Sequence, residues 1–108
     1  MDENLGSRTA RMLGRDAVDA LASKRVAVFG LGGVGGMAAE AIARAGVGHM
    51  VLVDADRVSP SNLNRQIVAL HSTLGRLKVD VMRDRLLDIN PGLVLETHAV
   101  FIPATGSE

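Results

Sequence analysis

The residues that stand out for chemistry are glycines and aspartates. Gly30-Leu31-Gly32-Gly33-Val34-Gly35-Gly36 follows the apolar run Val26–Phe29 and precedes an alanine-rich segment. Gly30, Gly32 and Gly35 match G-x-G-x-x-G, and a strand before the motif with a helix after it is the context that gives the spacing meaning. Without a Cβ, such a turn lets backbone amides, including that of Gly33, face phosphate oxygens at a helix N-terminus, where the helix dipole favours anions. The small Gly35, Ala38 and Ala39 let that helix pack closely on the strand. NAD, FAD, S-adenosylmethionine and ATP all use a turn of this kind, so it does not choose among them. Asp54 follows Gly30 by 24 positions, near the offset of roughly 20 at which a carboxylate meets ribose hydroxyls. Asp56 is less defined, and could orient the loop or lie near a metal ion.

These residues need a frame. Val26–Phe29 and Met50–Val53 are short apolar runs of the kind a strand buried on both faces of a parallel sheet requires. Met37–Ala45 predicts a helix stopped by Gly46 and Gly48. Thr9–Ala22 suits a helix, with Met12, Leu13, Val18 and Leu21 near one face. Residues 55–72 read as a loop with a short helix from about Leu63. Val79, Met82, Leu86 and Ile89 recur at helical spacing and predict a helix over Thr73–Ile89, closed by Asn90-Pro91-Gly92. Leu93–Phe101 is the third expected strand.

The order is a helix followed by β-α-β-α-β, the N-terminal half of an α/β, Rossmann-like doubly wound parallel sheet. Right-handed crossovers place the strands in spatial order 3-2-1. A fourth strand would normally flank the first, and the sequence supplies none. The half sheet is therefore expected to be a truncated form, and its uncovered edge predicts oligomerisation or marginal stability. The expected organisation is an arm over residues 1–8, a nucleotide-binding half-domain over 9–103 and a tail over 104–108.

Composition narrows the function. Lys+Arg and Asp+Glu are 12 each, so no overall charge advertises nucleic acid or membrane, although a local basic groove is compatible with a neutral total. Cysteine is absent, which excludes disulfides, thiolate catalysis and cysteine-based zinc sites within these residues. The two aromatics, Phe29 and Phe101, leave little for base stacking. The uncharged stretch Val26–Ala39 is 14 residues long, too short to span a bilayer, and holds five glycines. The N-terminus lacks the order of a secretory signal, so a cytoplasmic protein is expected. Met12, Met37, Met50 and Met82 are read as core filler.

The residues after Asp54 separate the possibilities. Asp54-Ala55-Asp56-Arg57-Val58 with Ser61-Asn62-Leu63-Asn64-Arg65-Gln66 resembles the D-x-D-x-V…S-N-x-x-R-Q block of the ThiF/HesA/MoeB and ubiquitin-activating superfamily. Gly75-Arg76-Leu77-Lys78 and Ile89-Asn90-Pro91 continue the likeness, which covers about residues 7–101. Arg65–Thr73 (RQIVALHST) and Ser7-Arg8-Thr9 are similar to the tRNA threonylcarbamoyladenosine dehydratase branch, whose usual aromatic before the serine is replaced here by Gly6.

The resemblance implies ATP-dependent adenylylation of a carboxylate, with ATP and Mg2+ as cofactors. Nucleotide binding would fall to Gly30, Gly32, Gly33, Gly35, Asp54, Asp56, Asn62, Arg65, Gln66 and Lys78. Arg65 and Lys78 would hold the triphosphate, Asn62 would position it, and Arg8 would reach a neighbour's phosphates across a homodimer. Such catalysis is mostly positioning and cationic stabilisation. The implied substrate is the threonylcarbamoyl carboxylate on tRNA; the alternative is the C-terminal Gly-Gly of a sulfur-carrier or ubiquitin-like protein. His71 is a candidate for substrate contact. Two rivals remain at this point. A nicotinamide-dependent oxidoreductase explains the glycines and Asp54 but gives no use to Asn62, Arg65 and Lys78. A nucleotide-binding fragment without turnover keeps the fold and lacks the downstream elements of the family.

Overall fold

Three five-residue segments form the sheet of the computed structural model, which describes residues 15–101: β1 (Arg25–Phe29), β2 (His49–Val53) and β3 (Val94–His98). They pair in parallel in the order β1-β2-β3, with Val26 opposite Met50 and Met50 opposite Leu95. Parallel neighbours require crossover connections. Here α2 (Gly33–Ala45) joins β1 to β2, and α3 (Lys78–Ile89) follows the long loop that leads to β3. A shorter α1 (Arg15–Ala22) precedes β1; the remainder of the helix expected from Thr9 lies outside the described residues.

Both crossovers run in the same direction, so α2 and α3 lie side by side on one face of the sheet. That face is the core: Leu31, Met50, Leu52, Val68, Val79, Met82 and Leu86 are fully buried. Val79, Met82 and Leu86 form the inward stripe of α3, as their spacing predicts. The opposite face is open among the described residues. Phe29 is 65% exposed and Val94 57%. Among the described residues β1 is therefore covered on one face only, where its apolar run predicts burial on both. Across the open face Glu96 ties the three strands together. Its Oε1 accepts from Arg25 Nη2 at 2.9 Å and lies 3.2 Å from His49 Nε2, while Oε2 is 3.5 Å from His98 Nε2. The His49 hydrogen bond and the Arg25 charge hold the Glu96 carboxyl below the ordinary glutamate value.

Several boundaries differ from the sequence expectation. α2 begins at Gly33, four residues before Met37, because the glycines of the turn are themselves the first helical turn. Met37 is 61% exposed on its outer side, so it is not core filler, whereas Met50 and Met82 are. No helix starts at Leu63; the loop instead holds two short 3-10 turns, Pro60–Asn62 and His71–Thr73. α3 begins at Lys78 rather than Thr73. Gly75, at φ +86°, takes a left-handed conformation that interrupts any helix there, and Leu77 bridges antiparallel to Arg57. β3 ends at His98, and 99–101 continue without regular structure. No described helix is long and apolar enough to cross a membrane.

Candidate nucleotide site

The carboxyl ends of β1 and β2 meet the start of α2, the position at which open parallel sheets bind ligands. The glycine turn is built for close approach. Gly30 has φ +89° and donates its N–H to Val53 O at 2.8 Å, which ties the end of β1 to β2. A Cβ on Gly35 would lie 2.9 Å from the Gly30 carbonyl carbon and overlap its oxygen. Only glycine lets the first turn of α2 sit this close to β1. The N-cap of α2 is Gly32, which offers no capping side chain, so the amides of the first turn are left to an external acceptor.

Asp54 fastens this turn to the loop beyond β2. It is 8% exposed. Its Oδ2 accepts the Leu31 N–H and its Oδ1 accepts the Asp56 N–H, both at 2.7 Å. One carboxylate thus holds the glycine turn and the 54–56 loop in a single arrangement, a positioning task that the sequence did not reveal. One lone pair on each oxygen is committed to these bonds. Asp56, by contrast, is exposed at the rim. Gly30, Val53, Asp54, Ala55, Asp56, Val100 and Phe101 line an open cleft of about 160 Å³. That is below the roughly 300–1,000 Å³ of sites that enclose a small-molecule ligand. The described residues therefore do not enclose a small-molecule ligand by themselves.

The loop returns to this region by pairing with itself. Val58 N donates to Arg76 O at 2.8 Å, Gly75 N to Val58 O at 2.9 Å and Lys78 N to Asp56 O at 3.0 Å. These bonds set Lys78, the first residue of α3, beside Asp56 in the backbone. Lys78 is 6% exposed and has no ion-pair partner among the described residues. Asn62 is buried, and its Oδ1 accepts from Ser59 N at 2.9 Å and Ser59 Oγ at 3.1 Å, closing the Pro60–Asn62 turn. Gln66 reaches the glycine turn itself: a Cβ on Gly32 would be 3.2 Å from its Nε2. Its Oε1 is buried with no hydrogen-bond partner among the described residues.

Not every candidate joins them. Arg65 is exposed and folded on its own loop, with Nη1 donating to Ser61 O at 2.7 Å and Asn64 Oδ1 at 3.1 Å. His71 is exposed at the start of the second 3-10 turn. Arg8 lies outside the described residues.

Comparison with known proteins agrees with this geometry. The ThiF family profile matches residues 6–108. The chain belongs to the ThiF family. Among curated ThiF relatives, the tRNA threonylcarbamoyladenosine dehydratase of Bacillus subtilis is 52% identical over 85 residues, covering 79% of this chain and 34% of the relative. The molybdopterin-synthase adenylyltransferase of Escherichia coli is 45% identical over 80 residues, covering 74% of this chain and 32% of the relative. The structure of E. coli tRNA N6-threonylcarbamoyladenosine dehydratase in complex with ATP superposes with a TM-score of 0.86 at 42% identity. It is matched over 88% of this chain and 39% of its own. The chain thus spans about a third of the length of the curated relatives it matches.

Within this ThiF-family frame, sequence reasoning missed Val100 and Phe101 as walls of the cleft. Both are exposed, at 52% and 80%, on the segment that leaves β3. Their signal was an aromatic at the carboxyl end of the third strand, the end where the cleft opens.

Proposed function

We propose that this chain supplies the nucleotide-binding half of an ATP-dependent carboxylate-adenylylating site. The observation that carries the reading is the Asp54 carboxylate, which binds Leu31 N–H of the glycine turn and Asp56 N–H of the next loop at once. A turn held so firmly, with uncapped amides at the helix start, suits phosphate oxygens. Asp54, through its remaining lone pairs, and Asp56 at the rim would receive the ribose hydroxyls. The unpaired Gln66 Oε1 offers a further acceptor beside Gly32.

ATP supplies the activating chemistry: a substrate carboxylate oxygen bonds to the α-phosphorus and the bond to pyrophosphate breaks. The chain's residues stabilise charge in that exchange. Lys78 would serve as a cation with no competing carboxylate partner. Asn62, its Oδ1 engaged by Ser59, would present its amide Nδ2. Arg65 would leave Ser61 O and Asn64 to engage phosphate with its planar fork. Arg8 would reach the neighbour's site in a homodimer. Magnesium commonly takes one or two protein carboxylates plus substrate phosphates, a demand Asp56 can meet in part.

For the substrate, we favour the threonylcarbamoyl carboxylate on tRNA, whose carbamoyl group would then close the ring, in a cytoplasmic homodimer. Support comes from the Arg65–Thr73 run and from the 52% identity to a tRNA threonylcarbamoyladenosine dehydratase. The second reading, activation of a C-terminal Gly-Gly, is favoured by the 45% identity to a molybdopterin-synthase adenylyltransferase. The test is calorimetric titration of the chain with Mg-ATP and with NAD, beside Arg65→Ala. Binding of ATP over NAD, weakened in the variant, supports the proposal. NAD preference indifferent to Arg65 would replace it with an oxidoreductase. Binding of neither would refute nucleotide binding by this half.

A further inference from the structure

A second concave feature lies on the outer surface of the helical layer. Met37, Glu40, Ala41, Arg44, Ile67 and Arg85 line an open groove of about 270 Å³ between α2 and α3. Its polar part has a specific construction. Arg85 Nε donates to Glu40 Oε1 at 2.6 Å, and Arg44 Nε donates to Glu40 Oε2 at 3.0 Å. One carboxylate therefore orients two guanidiniums, and each is gripped through Nε. Among the described residues neither has another acceptor, so the paired Nη groups of both remain available. The three charges sum to +1. The Arg85 hydrogen bond, followed by that of Arg44, holds the Glu40 carboxyl below its ordinary value, which keeps the brace ionised near neutrality.

We propose that this groove docks an acidic peptide segment of a partner protein, with a carboxylate on the free Nη edges and an apolar side chain on Met37, Ala41 and Ile67. The Nη pair of an arginine matches a carboxylate in plane and spacing. Met37 is 61% exposed, and an exposed methionine is an adaptable apolar seat. The size fits an anchor residue, since the groove is smaller than the roughly 300–1,000 Å³ of sites that enclose a small-molecule ligand. A nucleic-acid strand is less well served: Glu40 cancels one of the two cations, no aromatic lines the groove, and its apolar part would meet a phosphodiester. The inference does not rest on the ATP reading.

The test is NMR titration of the isotopically labelled 108-residue chain, without nucleotide, with the synthetic peptide acetyl-Gly-Leu-Glu-Leu-Gly-amide. Saturable shifts of the Arg44 and Arg85 Nε–Hε signals and the Met37 methyl are expected, and a peptide with Gln for Glu should shift them far less. Arg85→Gln should weaken binding about tenfold, the loss expected of one charge-assisted contact. Met37→Asp, which places a competing carboxylate on a surface position, should weaken it similarly, so the result does not depend on one variant folding. The proposal is overturned if the peptide shifts none of these signals. It is equally overturned if a single-stranded RNA 12-mer shifts them and the peptide does not. Shifts that follow protein concentration alone would assign the groove to a second copy and overturn it too.

Discussion

Replacing Gly35 by alanine isolates the feature on which the nucleotide site depends. The new Cβ would sit 2.9 Å from the Gly30 carbonyl carbon and overlap the oxygen, both of them rigid backbone. Restoring an ordinary carbon–oxygen separation of roughly 3.3–3.6 Å requires the first turn of α2 to withdraw by about 1.5 Å. Overpacking of this kind costs about 1–3 kcal/mol. At about 2 kcal/mol the melting temperature should fall by roughly 8–16 °C for a domain of this size. A misplacement of about 1 Å can reduce a positioned function on the order of a hundredfold, so ATP affinity should fall more than stability does. Gly33→Ala is the control: nothing lies within 4 Å of its added Cβ, and its φ is not left-handed. That variant should stay within about 0.5 kcal/mol of the parent, as unencumbered substitutions do. Thermal melts of both variants followed by circular dichroism, with a calorimetric ATP titration of Gly35→Ala against the parent, decide the matter. Equal melting of Gly35→Ala and Gly33→Ala would refute the close-approach account.

Asp54→Asn should destabilise by about 1–3 kcal/mol, because an amide accepts through one oxygen only and leaves Leu31 N–H or Asp56 N–H unpaired; denaturant midpoints measure this. Asp56→Asn, at an exposed position, should leave the melt nearly unchanged while weakening ATP, as calorimetry would show. Gly75→Ala imposes φ +86° on a residue with a Cβ and should cost about 1–2 kcal/mol by equilibrium unfolding. Glu40 and Glu96 have carboxyls lowered from 4.5, Glu40 first by its Arg85 hydrogen bond and Glu96 first by that of His49. A lowered folded value means their stabilisation is fully present above pH 4.5 and is lost as pH falls through the folded values. Glu40→Gln should therefore flatten the acid limb of the stability curve measured by urea denaturation from pH 3 to pH 6 (about this window).

The sheet was legible because its signals are local. Val26–Phe29 and Met50–Val53 announce strands by composition, and right-handed crossovers then dictate the spatial order without further information. The glycine turn was legible for the same reason, since motif, preceding strand and following helix are contiguous. What the sequence concealed depends on partners distant in the chain. The close approach of Gly35 to the strand was legible from its missing Cβ, but the helix start at Gly33, four residues before Met37, was not. Met37 and Met82 carry the same letter, yet one faces outward and the other is sealed between α3 and the sheet. Asp54 was legible as a carboxylate at a strand end. Its two backbone amide partners were not, because a backbone N–H has no letter. Lys78 was named by its place in the motif, but that its backbone lies beside Asp56 emerges only once the loop is seen to pair with itself. Arg65 matched its motif by position, while its guanidinium rests on Ser61 and Asn64.

The parallel register has a kinetic consequence. Arg25 pairs with His49 and His49 with Val94, separations of 24 and 45 residues, so no strand pair can zip up from a hairpin. Closing the longer of two such loops costs only about 0.6 kcal/mol more per doubling of length. The order in which β1 and β3 join β2 is therefore set less by distance along the chain than by which crossover helix first covers Met50 and Leu52. A chain with this wiring refolds on the slower timescale of non-local contacts. Until β1 and β3 have both joined it, the middle strand of the described sheet has a bare edge.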